Sequence, residues 1–352
     1  MRFFHIADVH LGAEPDKGFP WSRDRSREIW DSFRRVIEQA GQDHADLFLI
    51  AGDLFHRQPL ARELKEVNAM FASIPDTKIL LIAGNHDYLR KDSLYTRFSW
   101  SPNVYGLWSQ EITHVDFPDL GVRVTGCSYI SREIFRPLYD TLKKSGEMPV
   151  EILMAHGGDE KHIPISRDRL AASGFDYIAL GHIHKPQVLQ TDQMIYAGSL
   201  EPTDKNDTGP HGFVKGEIRN GKVRTVFVPW AAREYKELKV PVTRETTQYT
   251  LRQKISGLLE ETGKEHIYTL ILQGERNPET EFQLSQLYSL GNIRQVEDQS
   301  RPAWSLEELC RKHRGSLLEE YIRSFGENPG EEEKKALDYG IRALLETGEE
   351  IL

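Results

Sequence analysis

The chain has little cysteine: Cys127 and Cys310 are the only two in 352 residues, which excludes a disulfide framework. It also lacks any run near the roughly 20 apolar residues that span a bilayer, so no membrane-spanning helix is expected. Low-complexity tracts and internal repeats are absent too, which argues against linkers and solenoids. Met1 runs straight into the strand-like segment Arg2 to Asp8, so no cleavable leader is expected, and two cysteines, too few for a disulfide framework, make the cytoplasm the expected compartment. Nor is there an excess of basic residues. The net charge is −9, whereas nucleic-acid binders commonly show a basic face. That balance does not decide the substrate, because many of the acids lie in the last quarter of the chain and bound divalent cations would alter the local charge.

What remains is an ordinary globular composition, 39% hydrophobic and 28% charged with a mean hydropathy of −0.53, at a length that suggests roughly two or three domains. Short apolar runs, each bounded by turn residues, read as buried strands: Phe3 to Ala7, Leu47 to Ala51, Ile79 to Ala83, Ile152 to Ala155 and Tyr177 to Leu180. Between the first two, Ile29, Phe33, Val36, Ile37 and Ala40 have helical spacing, and Leu60, Leu64, Val67 and Phe71 repeat the device before the third. This alternation predicts α/β layers about a partly parallel sheet. Val122 to Cys127, Met194 to Tyr196, Phe213 to Ile218 and Val223 to Val228 read as antiparallel additions. A composition shift near Pro229 to Arg233 marks a boundary. From Glu237 to about Gln299 the pattern reads strand, helix, strand, helix, strand, with apolar stripes at Leu251, Ile255, Leu258, Leu259 and at Phe282, Leu287, Leu290. The remainder reads as helical, opening on a capping box at Ser305 and Glu308 and interrupted at Asn328-Pro329-Gly330.

The chemistry sits in the 13 histidines. His10, His56, His86, His156, His182 and His184 lie just beyond the ends of predicted strands, in Asp8-Val9-His10, Gly52-Asp53-Leu54-Phe55-His56, Gly84-Asn85-His86-Asp87, Ala155-His156-Gly157-Gly158 and Gly181-His182-Ile183-His184. In α/β sheets, binding sites form outside the carboxyl ends of the strands. Carboxylate, amide oxygen and imidazole without cysteine suit manganese, iron or zinc in a mixed O/N site. In Asp-x-His and His-x-His the two side chains project from the same face of an extended segment. A single histidine after a strand is more often structural, but five complementary motifs in order on successive strands are not explained by packing. His5 reads as packing beside the first strand, and His211 as a loop residue. His44, His114, His162, His266 and His313 read as facing solvent. Asn206-Asp207-Thr208 matches a glycosylation pattern without meaning in a cytoplasmic protein.

These motifs resemble the set of the calcineurin-like metallophosphoesterases: D-x-H, G-D, G-N-H-D, H and G-H-x-H. Within that superfamily the chain resembles the SbcD-type DNA-repair nucleases, including the YhaO-like group. The segments that carry this are Phe4 to Gly12, Gly52 to His56, Gly181-His182-Ile183-His184-Lys185-Pro186-Gln187 and Tyr196-Ala197-Gly198-Ser199. The protein phosphatases carry Asp-Arg-Gly after the second motif, where this chain has His56-Arg57-Gln58-Pro59. The resemblance covers residues 1 to about 230 strongly, the next domain moderately and the tail weakly.

It implies a layered α/β sandwich with a nuclease domain at 1–232, a small α/β capping domain at 233–302 and a helical tail at 303–352. One metal would be held by Asp8, His10 and His184 and the other by Asn85, His156 and His182, with Asp53 bridging. The two divalent ions would be manganese, with iron or zinc as alternatives. His86 would be the catalytic acid with Asp87 orienting it, and His56 would lie near the substrate phosphate. The segment after His156, Gly157-Gly158-Asp159, departs from relatives that have bulkier residues there. The implied activity is exonuclease and endonuclease cleavage of DNA in repair. An SbcC-like ABC ATPase would dock its coiled coil on the tail, and helices near 60–73 and 90–98 would form a homodimer. A phosphodiesterase acting on nucleotides or other small phosphodiesters is the alternative, and a non-catalytic binding module is a further one.

Overall fold

The computed structural model describes residues 1–326 and 329–347. Asn328, expected to help interrupt the tail helices, and residues 348–352 of the expected tail lie outside the described residues. The chain divides into two compact units, Met1–Tyr235 and Lys236–Leu352.

In the first unit, β1 (Arg2–Ile6), β2 (Leu47–Ala51), β3 (Lys78–Ile82) and β4 (Val104–Gly106) run parallel. The second sheet contains β5 (Thr113–Phe117), β6 (Val122–Gly126), β7 (Val150–His156), β8 (Tyr177–Gly181), β9 (Gln187–Gln190) and β10 (Met194–Tyr196), in the order β5-β6-β7-β8-β10-β9. The hairpin of β11 (Gly212–Arg219) and β12 (Lys222–Pro229) returns to the first sheet antiparallel to β1, giving the order β12-β11-β1-β2-β3-β4. Two of the expected antiparallel additions are mixed: β6 pairs antiparallel with β5 but parallel with β7, and β10 antiparallel with β9 but parallel with β8. The apolar runs that identify these strands carry no sign of direction. Direction is set by the connections.

The central strands β1, β2 and β3 are buried on both faces because both faces are covered. Phe3, Leu49 and Leu80 meet Val124, Ile152 and Tyr177 of the other sheet in a core between the two layers. Phe4, Phe48, Ile50 and Ile79 face outward onto α1 (Ser22–Gln42) and α2 (Ala61–Ala72), whose stripes bury Ile29, Phe33, Ile37, Leu64 and Phe71. This is the layered α/β sandwich expected from the sequence. The stretch near 90–98 holds only one short helix, α3 (Leu94–Arg97). The outer face of the second sheet packs Leu153, Ile178 and Leu180 against Tyr139, Ile163 and Leu170, the last of these on α4 (Arg167–Ala171). The register pairs Phe3 with Leu47 and Leu47 with Lys78, so β1, β2 and β3 end level. In the other sheet, His156 pairs with Gly181.

The second unit has a sheet of β13 (Tyr235–Val242), β14 (Ile267–Arg276) and β15 (Ile293–Asp298), with the short β16 (Arg301–Pro302) also paired to β14. Against it α5 (Gln248–Thr262) buries Leu251, Ile255 and Leu259 on Val240, Leu270 and Leu272. The expected second helix is a single 3-10 segment, Leu284–Leu290, which buries Leu287 alone. The tail forms α6 (Leu306–Lys312), α7 (Leu317–Arg323) and α8 (Glu331–Glu346), with Leu318, Ile322, Leu337 and Ile341 in a core of their own. Ser305 precedes α6 as expected but makes no side-chain cap bond. Among the described residues, no helix is long and apolar enough to cross a membrane.

Candidate metal centre

The level strand ends bring the predicted residues to one rim. Asp8 and His10 follow β1, Asp53 and His56 follow β2, and Asn85, His86 and Asp87 follow β3. His156 closes β7, and His182 and His184 follow β8. Backbone bonds stitch the first two loops together: Asp8 N–H donates to the Gly52 carbonyl and His10 N–H to that of Asp53, each at 3.1 Å. Asp8, His10, Asp53 and His182 have left-handed backbones, with φ of 50°, 53°, 51° and 98°. Residues other than glycine rarely adopt these, at a cost of roughly 1–3 kcal/mol each, and such strain gathers at functional sites. The glycine of Gly84-Asn85-His86-Asp87 is dictated by closeness: a Cβ there would lie 2.2 Å from Asp53 Oδ1 and 2.7 Å from His156 Nε2.

Two sets of donors converge. In the first, ligating atoms of Asp8, His10 and His184 lie within 4.8 Å of one another, with His10 Nε2 3.0 Å from His184 Nε2. In the second, Asn85 Oδ1 is 2.9 Å from His156 Nε2 and 3.1 Å from His182 Nδ1. Asp53 Oδ2 stands 3.4 Å from His156 Nε2, and Asp8, Asp53 and His156 form a further close group.

The outward nitrogens fix the tautomers. His156 Nδ1–H donates to the Ala51 carbonyl at 2.9 Å, which leaves the Nε2 lone pair facing Asn85 and Asp53. His182 Nε2–H donates to Asp159 at 2.7 Å, and His184 Nδ1–H to Asp207 at 3.1 Å. In each ring the lone pair left over points at other lone pairs, which is how histidines are presented to a cation. The charges agree. Burial pushes Asp8 up to about 6 even with His156 and His184 beside it. Burial opposes charge on His156, but Asp53 and Asp8 outweigh it and push that ring up to about 9. The donor set of oxygen and imidazole without sulfur fits hard or borderline divalent ions.

His86 and His56 lie on the accessible side, their rings stacked 5.0 Å apart and within 4.8 and 5.4 Å of the His10 ring. His86 Nδ1–H donates to the His56 carbonyl at 3.1 Å, so Nε2 is the atom presented to a substrate. Asp87 makes no hydrogen bond to the His86 ring. Its carboxylate accepts from Gly84 N–H (2.8 Å), Phe55 N–H (3.0 Å) and the Tyr95 hydroxyl (2.6 Å), so it clamps the β2 and β3 loops together. Burial and the nearby Asp53 push it up to about 7.

Sequence reasoning missed Asp159 and Asp207, the carboxylates behind His182 and His184. Asp159 sits three residues beyond a predicted ligand in the segment that departs from relatives, and Asp207 was hidden in the glycosylation pattern. His162, expected in solvent, is half-buried with its Nδ1 2.8 Å from Asp159 and its ring 4.5 Å from that of His182. His211 lies in the loop before β11 as expected, and is buried there. His5 is buried within β1, packed in the first strand, 2.9 Å from the Tyr177 hydroxyl.

The calcineurin-like phosphoesterase family model matches residues 1–186, which include all these strand-end positions. The chain belongs to that family. It is 29% identical over 298 residues to the uncharacterized metallophosphoesterase YhaO of Bacillus subtilis, covering 78% of this chain and 72% of the relative. It is 27% identical over 306 residues to the DNA double-strand break repair protein Mre11 of Archaeoglobus fulgidus, covering 76% of this chain and 67% of that one. A dimetal phosphatase from Danio rerio is a solved structure similar to it at 14% identity and a TM-score of 0.43, over 66% of this chain and 99% of that one.

Proposed function

We propose that this phosphoesterase hydrolyses phosphodiester bonds in DNA by a two-metal mechanism, as an exonuclease and endonuclease in repair. The observation that carries the reading is the pairing of two donor sets, around Asp8, His10, His184 and around Asn85, His156, His182, with two histidines on the accessible side. Asp53 stands between the sets. When bound, two divalent ions supply positive charge that polarises a phosphodiester and acidifies water. The chain's own part is to hold and orient. Asp159 and Asp207 fix the rings of His182 and His184, and the Asp87 clamp fixes Asn85 and His86 against Asp53. With Nδ1–H held by the His56 carbonyl, His86 in its imidazolium form delivers the Nε2 proton to the departing sugar oxygen and is left neutral, and His56 contacts the phosphate. DNA as substrate is supported by the likeness to a relative named for double-strand break repair. Manganese suits the ligands, and an SbcC-like ATPase docked on the tail with a homodimer through α2 completes the reading.

The test is digestion of linear DNA with manganese, magnesium or EDTA, alongside His86→Ala and a small chromogenic phosphodiester. Manganese-dependent degradation that falls about 10²–10⁴-fold in His86→Ala, with manganese still bound, is expected for a lost proton donor. Turnover of the small ester with DNA left intact, even after the ATPase is added, would sink the nuclease reading in favour of a small-substrate phosphodiesterase. Co-purification with the ATPase, with and without residues 305–352, tests the tail.

A further inference from the structure

His211 is 1% exposed, and burying a ring with two polar ends is costly unless both are bonded. Both are. Nδ1 stands 2.9 Å from Ser199 Oγ and 3.2 Å from the Ser199 carbonyl oxygen, and Nε2 stands 3.1 Å from the backbone carbonyl oxygen of Asp207. One tautomer satisfies the pair: Nε2–H donates to Asp207, and Nδ1 accepts the Ser199 hydroxyl proton. The Asp207 side chain is held as firmly. Its Oδ2 accepts from Thr203 N–H at 3.0 Å, Thr203 Oγ1 at 3.2 Å and Asp204 N–H at 3.1 Å. The same oxygen receives His184 Nδ1 at 3.1 Å. The backbone of Asp207 is therefore fixed by His211 and its carboxylate by the start of its own loop, which leaves the carboxylate aimed at His184.

We propose that His211 is a positioning residue for the metal centre. Through Asp207 it fixes the His184 ring, and so sets the affinity of the metal position formed by Asp8, His10 and His184 while leaving the other position alone. The selectivity follows from how the other ligands are tied. His156 leans on the Ala51 carbonyl inside β2, and His182 leans on Asp159, so neither depends on the 199–211 loop. The inference rests on the two-metal reading of the site and not on the nature of the substrate.

Manganese binding to the full chain tests it, measured by calorimetry and by the Mn²⁺ resonance spectrum. Wild type is expected to take up two ions. His211→Phe, which keeps a ring but loses both bonds, is expected to weaken one binding step about 10–100-fold, the usual effect of losing an outer partner of a ligand, and to spare the other. His211→Gln carries an amide N–H near the Nε2 position and is expected to restore most of the loss. Asp207→Asn alters a half-buried loop residue without emptying the core, so it keeps the test decisive if His211→Phe does not fold, and the same one-sided weakening is expected. Equal weakening of both steps, or an unchanged pair of steps in Asp207→Asn, would overturn the inference. A wild-type chain that binds fewer than two ions would instead overturn the two-metal reading beneath it.

Discussion

In the first unit, burial takes in Asp8, Asp53, Asp87, His5, His10, His156 and Glu201, while the buried polar residues described in the second unit are Thr246 and Ser300. The backbone divides the same way. Left-handed residues other than glycine run from Asp8 to Asn220, and none of those described lies beyond Tyr235. Both units place helices on a sheet and both have apolar cores, so fold class does not account for the contrast. Buried charge and backbone strain each cost stability, and a chain retains them where their arrangement does something. The difference locates the chemistry in the first unit. It also makes that unit the one whose stability depends on what is bound and on pH.

Metal removal should produce the largest effect. With EDTA, phosphodiester hydrolysis is expected to disappear and to return when manganese is added back. An ion held at about 100 times its dissociation constant stabilises the state that binds it by roughly 2.7 kcal/mol. Hydrogen exchange should therefore show protection rising with manganese in residues 1–235 and staying level beyond them. A rise shared equally by both units would break the comparison.

Acid should distinguish the units next. Burial holds His5 down at about 3, well below its ordinary 6.5, so the folded first unit keeps this ring neutral. The unfolded chain takes up the proton first. The stability that His5 contributes is complete above pH 6.5 and drains away as the pH falls from 6.5 toward 3, by about 1 kcal/mol per pH unit. Denaturant titrations from pH 7 to pH 4 are expected to show this loss, and His5→Gln to have a shallower acid limb than wild type. Parallel limbs for the two proteins would mean that His5 is not the group responsible.

Much of the first unit was legible because two physical signals coincide in it. Apolar runs of strand length locate β1, β2, β3, β7 and β8, and the ligand-type residues at their ends need no tertiary knowledge to be noticed. What stayed hidden depends on chain path. Nothing near Val122 or Met194 tells whether a strand will run with or against its neighbour. Asp207 lies 23 residues from His184, within a run of polar loop residues, and only folding brings the two together. Asp87 shows a related limit: the resemblance pairs it with His86, and only the folded loop shows its carboxylate turned onto Gly84, Phe55 and Tyr95. Positions set by strand ends can be read in the sequence. Outer partners supplied by loops cannot.

The smallest effect concerns the second unit, where the contrast assigns no chemistry but leaves room for contact with DNA. Among the cations of that unit, Arg252 donates to the Gln286 carbonyl at 2.9 Å and Lys254 to that of Pro241 at 2.7 Å, so their charges are already engaged locally. Lys239 and Arg244 are exposed. Cations that meet a phosphate backbone add affinity without reading sequence, and each one lost lowers the salt dependence of binding by about one unit of slope. If the second unit touches the substrate, replacing Lys239 and Arg244 together by glutamine should weaken DNA binding several-fold and flatten its dependence on salt, with turnover of a small phosphodiester unchanged. Binding that keeps both its strength and its salt slope would confine substrate contact to the first unit and make the division between the two sharper still.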